Sequence, residues 1–310
     1  MMFLLALLIS QSAFAVSPNE LCPSWATPAK QGETDSKIVD ESSGLVISRR
    51  YDSLYHMNDS GTGPEFHISK LDGSSLTGVQ VEDFKPVDPE DLTMGPCAVK
   101  SAPCLVIADI GDNRKARKDV TFVFIEELAS FPRKVKPDFK AVLQYPDGSH
   151  NAESAALLDN GDLIVITKEM SVLGVAQPAL VFRSKRMEYL KSTKAKPAQF
   201  QKTGELDLPS INLQKGFGGI ATGMTSLPDG QRFTVLTYTG AIEFSLDLKA
   251  EKLPVVTTAS RRIVPLFQLP QQESITYDKN DRDLVYSTEI PQAIFGAGQP
   301  APIYKVKCAL

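Results

Sequence analysis

Short runs in which apolar and polar residues alternate recur along the whole chain. Each unit opens at an acidic or polar residue, continues through two alternating runs joined by a turn, and ends in a polar cluster. Turn sequences such as DNGD (159–162) and PDG (228–230) separate the runs. This alternation at period two, interrupted by Asn, Asp and Gly, predicts antiparallel strands joined by tight hairpins. The opening residues are Glu41, Glu90, Glu153, Thr222 and Glu273.

The number of runs in each unit indicates the fold. Each of the first four units has four runs, and the units recur at roughly 50 to 70 residues, slightly more than a typical propeller blade. Four antiparallel strands in each repeat are typical of a β-propeller. The sequence therefore predicts an all-β protein, a β-propeller of five four-stranded blades. Six blades are the alternative if the long third unit contains a degenerate one.

The fifth unit supplies only three runs, of which the last is PIYKVK (302–307). The segment SKIVD (36–40) directly precedes Glu41, in the place that a fourth run occupies before the other units. We predict that this N-terminal strand completes the last blade and closes the ring, because an open ring would leave strand edges unpaired.

The N-terminal residues predict export. Residues 1–15 form an apolar stretch that ends in Ala13-Phe-Ala15, which is typical of a cleaved signal peptide and too short for a membrane span. Residues 16–310 are then a single β-propeller domain, and we expect a periplasmic or secreted monomer without a membrane span. The net charge of −4 argues against nucleic acid as a partner.

Four cysteines permit three disulfide connectivities. Cys97 and Cys104 are close enough in sequence to staple one loop, and Cys22 and Cys308 lie at the two ends that ring closure brings together. We therefore predict the pairs Cys97–Cys104 and Cys22–Cys308, the second contributing about 2–4 kcal/mol by typical disulfide values. A zinc site built from the four cysteines is the rival interpretation, and the spacing between them fits it poorly.

The opening residues of the units would meet at one end of the central channel, because the innermost strand of each blade lines it. The polar clusters that end the second runs would reach the same mouth, since an antiparallel neighbour ends where the first strand begins. We expect a ligand-binding site there, made from Glu41, Asn58, Asp59, Glu90, Asp91, Asn113, Glu153, Lys168, Glu169, Thr222, Tyr238, Glu273 and Glu289.

So many carboxylates at short range raise each other's pKa values or require a counter-ion. One solution is a calcium ion held by Asp109, Asp112, Glu153 and Glu273, since Ca²⁺ prefers several oxygen ligands. Another is partial neutralisation by Lys168. A third is that the acidic residues only cap strands and pair with neighbouring blades. For chemistry, the candidates are Glu153, His150 and Lys168.

The ordered motifs resemble an uncharacterised family of secreted bacterial β-propeller-like proteins. The similarity extends from about Glu41 to Glu289 and rests on ESSGL, NDSG, DIGDN, YPDG-x-HNAE, TKE, TG-x₄-PDG and QE-x-ITY. The chain is more distantly similar to the esterase-like phytase and SdiA-regulated propeller domains. That resemblance implies calcium as a bound ion or a phosphate ester as a substrate. Met224 and Thr225 stand where relatives tend to carry Ala-Asp, so a complete metal cage is not implied.

Two functions follow as hypotheses. The first is an exported binding module that holds a small molecule or a protein at its acidic mouth, with calcium as a candidate cofactor. The second is a calcium-dependent hydrolase of phosphate esters, lactones or sugars. No G-x-S-x-G, HExxH or P-loop motif is present to decide whether the protein is an enzyme. A structural propeller whose partner docks on outer loops is the third possibility.

Overall fold

Five antiparallel sheets surround a central axis and form a five-bladed β-propeller, as the repeat predicted. The computed structural model describes residues 20–61, 63–211, 217–290 and 299–309. The predicted signal peptide lies outside the described residues. Helix is confined there to the short segments Arg186–Tyr189 and Leu208–Ile211 and the 3₁₀ turn Phe217–Gly219. No helix in the described ranges is both long and apolar enough to cross a bilayer.

In blades one to four the main strands follow chain order from the axis outwards, and in blade five the N-terminal strand takes the outermost place. Blade one contains Ser42–Ile47, Leu54–Asn58, Glu65–Ser69 and Thr77–Val81. Blade two contains Pro89–Pro96, Pro103–Asp109, Val120–Glu126 and Phe139–Gln144. Blade three contains Ala152–Leu157, Leu163–Thr167, Ala179–Ser184 and Gln201–Leu206. Blade four contains Ala221–Ser226, Arg232–Thr237, Gly240–Ser245 and Arg261–Val264. Blade five contains Gln271–Tyr277, Leu284–Glu289, Ala301–Val306 and the N-terminal Ala29–Thr34.

Two blades also carry a short fifth strand on the outside. Lys134–Val135 pairs in parallel with the last strand of blade one, and Ala198–Gln199 does the same in blade two. Each added strand lies in the part of the sequence that forms the next blade, and it covers the outer edge of the blade before it. Covered edges are protected from pairing with another chain.

An N-terminal strand closes the ring, but it is not the strand that the sequence predicted. Ala29–Thr34 pairs with Ala301–Val306, whereas residues 36–40 form a turn in which Ile38 and Val39 donate to the carbonyl of Asp35. The true strand, AKQGET, has little apolar alternation because its outer face is solvated. Hydrophobic periodicity therefore selected the wrong segment.

Neighbouring inner strands run in the same direction along the axis. Side chains link the inner strands of blades two and three, of blades four and five, and of blades five and one. In each pair the linked positions increase along both strands, as in a parallel pair. The links are Asp91 to Ala155 NH (2.8 Å), Thr93 to Leu157 NH (3.0 Å), Thr222 to Gln272 O (2.8 Å), Thr225 to Tyr277 NH (3.1 Å), Ser42 to Ser274 (3.2 Å) and Thr276 to Ile47 NH (3.4 Å). All five inner strands therefore begin at one mouth of the channel and end at the other.

One hydrophobic cluster fills each interface between adjacent blades. Alternate residues of a strand point to opposite neighbours, so Leu105 and Ile107 pack against blade one while Val106 packs against blade three. In the same way Ile164 faces blade four and Val165 faces blade two. The period-two pattern of the sequence thus fills two interfaces at once, which is the usual result of strand geometry.

Both predicted disulfides are confirmed. Cys22 pairs with Cys308 across a Cα–Cα distance of 5.6 Å, and Cys97 pairs with Cys104 across 4.8 Å. Beside the first bond, Ser24–Trp25 pairs with Cys308–Ala309 in a two-stranded sheet. The N-terminal and C-terminal segments are therefore joined both covalently and by backbone hydrogen bonds.

Removal of the Cys22–Cys308 bond should destabilise the fold more than removal of the Cys97–Cys104 bond. The separations are 286 and 7 residues, respectively. Loop-closure entropy predicts more than about 4.7 kcal/mol for a loop longer than 100 residues and less than about 3 kcal/mol for one shorter than 15. Equilibrium urea unfolding of Cys22→Ala/Cys308→Ala and of Cys97→Ala/Cys104→Ala measures both losses. Equal losses would contradict the role of the first bond in ring closure.

Candidate functional site

A β-bulge sits at the same place in every blade, at the upper mouth, which is the mouth where the inner strands begin. The register between the first and second strands shifts at that point in all five sheets. Such bulges re-aim side chains at the rims of closed sheets. The residues between the shifted pairs are Ser43, Glu90, Glu153, Thr222 and the pair Gln272 and Glu273.

This alignment corrects the first unit of the repeat. Ser43 occupies in blade one the position that Glu90 and Glu153 occupy in theirs, and Glu41 lies before the strand. Ser43 donates to Glu90 Oε2 at 3.0 Å and to the Glu90 carbonyl at 2.9 Å. Glu41 still borders the same mouth. Burial is the main cause that raises the pKa of its carboxyl, and nearby charges, among them those of Asp59 and Glu273, add to the effect.

Lys168 links two of the bulge carboxylates through Tyr238. Its ammonium group donates to Glu153 Oε1 and to the Tyr238 hydroxyl at 2.9 Å, and that hydroxyl donates to Glu273 Oε1 at 2.9 Å. The ammonium also lies 5.0 Å from the centre of the Tyr238 ring. Blades three, four and five each contribute to this chain of contacts. Its four residues were all candidates from the sequence, and they come from separate units of the repeat.

Charge repulsion remains after this pairing. Burial is the main cause that raises the pKa of Glu153 to about 8, and the charge of Glu273 adds to it while Lys168 opposes it. Burial likewise raises the pKa of Glu289 to about 8, with the charges of Glu273, Glu41 and Asp59 adding to it. The pKa of Glu90 and that of Glu273 are raised by burial too. The upper mouth therefore favours bound protons or another cation.

A tight group of carboxylates lies beside the Lys168 contacts. One oxygen from each of Asp59, Asp88 and Glu90 falls within 4.8 Å of the other two, so these residues could hold a metal ion. We call them the acidic triad. Burial and the charge of Asp59 raise the pKa of Asp88 to about 6. Asp88 was not predicted from the sequence, although it is only two residues before Glu90 and thus near the start of an inner strand.

The calcium set expected from the sequence is not assembled. Asp109 accepts from the NH groups of Val87 (3.2 Å) and Asp88 (2.9 Å) and pairs with Arg117 at 2.8 Å. Its carboxylate is thus used to fix the backbone that carries Asp88. The two oxygens of Asp112 accept from Ala116 NH (2.9 Å) and Arg117 NH (2.7 Å), which closes the loop after the strand.

Other residues predicted to line the upper mouth instead bond backbone groups inside the protein. Asp91 is fully enclosed and accepts from Leu92 NH and Ala155 NH, both at 2.8 Å, and burial raises its pKa well above the usual range. The Asn58 amide donates to the Ile38 carbonyl at 2.8 Å, and Thr222 bonds the carbonyl of Gln272. These residues join inner strands to each other and to the N-terminal segment rather than line the opening.

His150 lies at the edge of this region between two carboxylates. Its Nδ1 is 2.7 Å from Glu169 Oε1 and its Nε2 is 3.0 Å from Asp147 Oδ1. The hydrogen bond to Glu169 is the largest cause that raises the His150 pKa. Burial opposes ionisation of Glu169, but the hydrogen bonds from His150 and Lys115 lower the pKa of Glu169 to about 2. Each of these two residues therefore favours the charged form of the other.

Asn113 connects this edge to Glu153. Its Oδ1 accepts from Asn151 Nδ2 at 3.2 Å, and the same nitrogen is 3.5 Å from Glu153 Oε1. The Asn151 side chain also accepts from Asp112 NH at 2.6 Å. Asn151 was not predicted as a site residue. Its position directly between His150 and the inner strand was the available signal.

Comparisons with known proteins find only a distant structural likeness. No family model matches the sequence. No curated protein matches it either. The solved structures that the chain distantly resembles include those of several enzymes. A gluconolactonase from Xanthomonas campestris is 10% identical, with 95% of this chain and 93% of that chain covered and a TM-score of 0.45.

Two further neighbours have similar values. A putative oxidoreductase (glucose dehydrogenase) from Thermus thermophilus is 10% identical over 91% of this chain and 100% of that chain, with a TM-score of 0.49. The PQQ domain of pyranose dehydrogenase from Coprinopsis cinerea is 9% identical over 85% and 81%, with a TM-score of 0.42. At this level of similarity the activities of the neighbours are not transferred.

The raised carboxylate pKa values predict that the metal-free protein loses stability as pH rises from about 4.5 to 8. A carboxyl whose pKa is higher in the folded state binds more protons there, so its stabilising contribution is complete below the unfolded pKa and disappears above the folded one. Glu289→Gln should flatten this slope and stabilise the protein at pH 8 by about 1–2 kcal/mol, a value reduced for the partial solvation of Glu289.

The measurement is urea unfolding in chelator at several pH values between 4 and 9. Glu205→Gln is the matched control, because Glu205 is exposed on the outer strand of blade three. A wild-type slope that Glu289→Gln leaves unchanged would show that Glu289 does not experience the repulsion described above.

Proposed function

We propose that this protein is an exported β-propeller whose upper mouth binds a divalent cation, calcium first among the candidates, together with a small polar ligand. The observation that carries the proposal is the acidic triad, in which three carboxylate oxygens lie within 4.8 Å of one another. Hard cations take several carboxylate oxygens at once, and an ion there would offset the repulsion that raises the neighbouring pKa values.

A second feature of the same mouth supports a bound cation or ligand. Glu153 is 3% exposed, and its Oε2 has no hydrogen-bond partner among the described residues. A buried carboxylate oxygen without a donor is costly, and such atoms are commonly satisfied by a bound ion, water or ligand. Lys168 satisfies only the other oxygen of Glu153.

The depth of the site favours a small molecule over a folded protein as the partner. Glu90 is 2% exposed and Glu273 is 6% exposed, so the carboxylates lie below the rim rather than on it. A rigid protein surface makes contact at the rim, whereas a small polar molecule with hydroxyl groups can reach recessed carboxylates. Export is supported by the two disulfides, since such bonds persist in oxidising compartments.

Calcium should raise the melting temperature of the protein, because a ligand that binds only the folded state stabilises it by about 2.7 kcal/mol at 100 times its dissociation constant. Glu90→Gln and Asp88→Asn should each remove most of this shift, since each deletes one anionic ligand of the acidic triad. Differential scanning calorimetry with CaCl₂ or EDTA, and isothermal titration with Ca²⁺, provide the measurements.

Glu205→Gln again provides the control and should retain the full shift. If neither Ca²⁺, Mg²⁺ nor Mn²⁺ changes the melting temperature of the wild-type protein, the metal part of the proposal is wrong. If the calcium-induced rise in melting temperature is retained in Glu90→Gln and in Asp88→Asn, the ion binds elsewhere and not at the acidic triad.

A hydrolase is the second candidate, favoured by Glu153 because Lys168 donates a hydrogen bond to it. Its pKa of about 8 is close to the pH at which general acids and bases work best, and Lys168 beside it could stabilise developing negative charge. In such a reaction Glu153 would take a proton from the attacking water, and Lys168 would hold the oxyanion of a lactone or phosphate ester.

Under this candidate, Glu153→Gln should lower kcat by about 10²-fold or more, the usual effect of removing a general base. The substrates are a panel of aliphatic lactones and aryl phosphates, each assayed with calcium and with EDTA. Glu205→Gln should be unchanged. If no substrate in the panel is hydrolysed while calcium binding is retained, the binding function stands and the hydrolase does not.

A further inference from the structure

A cavity lies at the other end of the channel, where the inner strands finish. Its volume is about 720 Å³, within the range of about 300–1,000 Å³ typical of small-molecule sites. The strand ends supply apolar walls through Met94, Pro96 and Leu157, and Pro228 follows the inner strand of blade four. We call this cavity the lower pocket. None of the residues assigned to the upper mouth borders it.

One wall of the lower pocket is a loop held in place covalently. The Cys97–Cys104 bond closes the loop, and Cys97 NH donates to the Ala102 carbonyl at 2.8 Å. Arg186 reaches from blade three and donates to the carbonyls of Cys97 (3.1 Å) and Ala98 (2.8 Å). A wall fixed in this way is pre-organised, so a ligand would lose little free energy in ordering it.

The charged groups that border the pocket are not all compensated. Within the described part of the chain, neither Arg50 nor Arg186 forms an ion pair with a carboxylate. Arg50 stacks on the Tyr51 ring at 5.2 Å, and Arg186 bonds only backbone carbonyls. Two guanidinium groups therefore present positive charge to the pocket.

Glu127 contributes an unsatisfied acceptor to the same wall. It is 2% exposed, and its Oε1 accepts from the Ser48 hydroxyl and from the Tyr55 hydroxyl at 3.1 Å. Its Oε2 has no partner among the described residues. Because a buried polar atom without a partner is costly, a donor group that enters the pocket would be bound favourably there.

We propose that the lower pocket is a second ligand site, which binds a small organic anion with an apolar body. Its anionic group would pair with Arg50 and Arg186, its apolar part would cover Met94, Pro96 and Leu157, and an N–H or O–H group would donate to Glu127 Oε2. This ligand is opposite in charge to the cation expected at the upper mouth, so the two sites take different ligand classes.

The probe is 8-anilinonaphthalene-1-sulfonate, which combines a sulfonate, an aromatic body and one N–H donor. Fluorescence titration of the native protein should show one saturable site. Arg50→Glu should weaken binding by about tenfold or more, because it replaces an attraction by a repulsion at a solvent-accessible position. Glu127→Gln should weaken it by roughly threefold or more, since the amide cannot serve as an anionic acceptor.

Lys118→Glu is the matched control. Lys118 is exposed and borders a different basic groove of about 550 Å³, so the same change of charge there should leave the affinity within about twofold. Glu127→Gln alters a buried carboxylate that accepts from two hydroxyl groups, so its unfolding midpoint is measured in parallel. Arg50→Glu alters an exposed side chain and keeps the test valid if Glu127→Gln does not fold.

Three results would overturn the proposal. They are the absence of saturable binding, an equal loss in Arg50→Glu and Lys118→Glu, and a loss in Lys118→Glu alone. Calcium and Glu90→Gln should not change the affinity for the probe, so failure here is distinguishable from failure at the upper mouth.

Discussion

Closure of the ring is the constraint on which both mouths depend. The N-terminal strand Ala29–Thr34 pairs with Ala301–Val306, and the Cys22–Cys308 bond lies beside that junction. If the junction opened, blade five would lose its outer strand, and Glu273 would no longer be held opposite Glu90 and Glu153. The repulsion among these carboxylates favours such an opening. The disulfide and the strand pairing oppose it, because they make separation of the first and last blades costly.

The bulges explain why an acidic mouth can be built without disrupting the sheets. Each bulge interrupts the ladder at one position near the start of an inner strand, and the strand resumes regular pairing afterwards. The carboxylates therefore lie just inside the upper mouth rather than in the hydrophobic interfaces between blades. Below them the links between inner strands come from neutral hydroxyl groups, except at Asp91, whose two oxygens accept backbone NH groups. Charge is concentrated where water, a proton or a cation can reach it.

Much of the fold could be predicted from the sequence because strand alternation is a local property. The turn sequences and the apolar periods located four strands in each of four blades, and the missing fourth run of the fifth unit implied closure. The closing strand was misplaced since AKQGET is a solvated outer strand, which leaves almost no hydrophobic pattern. The site was harder to predict, because a bulge is a difference in register between two strands. Glu41 and Ser43 cannot be distinguished by counting residues when the register is unknown.

The acidic triad gives a second example of a site feature that could not be predicted from the sequence. Asp59 follows the second strand of blade one, whereas Asp88 and Glu90 begin blade two, so their proximity exists only after the two blades have packed. Asp109 looked like a calcium ligand in DIGDN, but its oxygens are used by Arg117 and by the NH group of Asp88. A sequence motif rich in oxygen ligands does not reveal whether backbone NH groups already occupy those oxygens.

The two mouths are chemically separate although the same strands build them. The strand that contains Glu90 ends at Pro96 in the lower pocket, and the strand that contains Glu153 ends there at Leu157. Between the mouths, Thr93, Met224, Thr225 and Thr276 surround a cavity of only about 40 Å³. The inner strands connect the two mouths, so occupancy of one mouth could affect the other through them. Those strands are cross-linked around the axis and packed on both faces, and a change at the acidic mouth would have to shift several blades together to alter the pocket below.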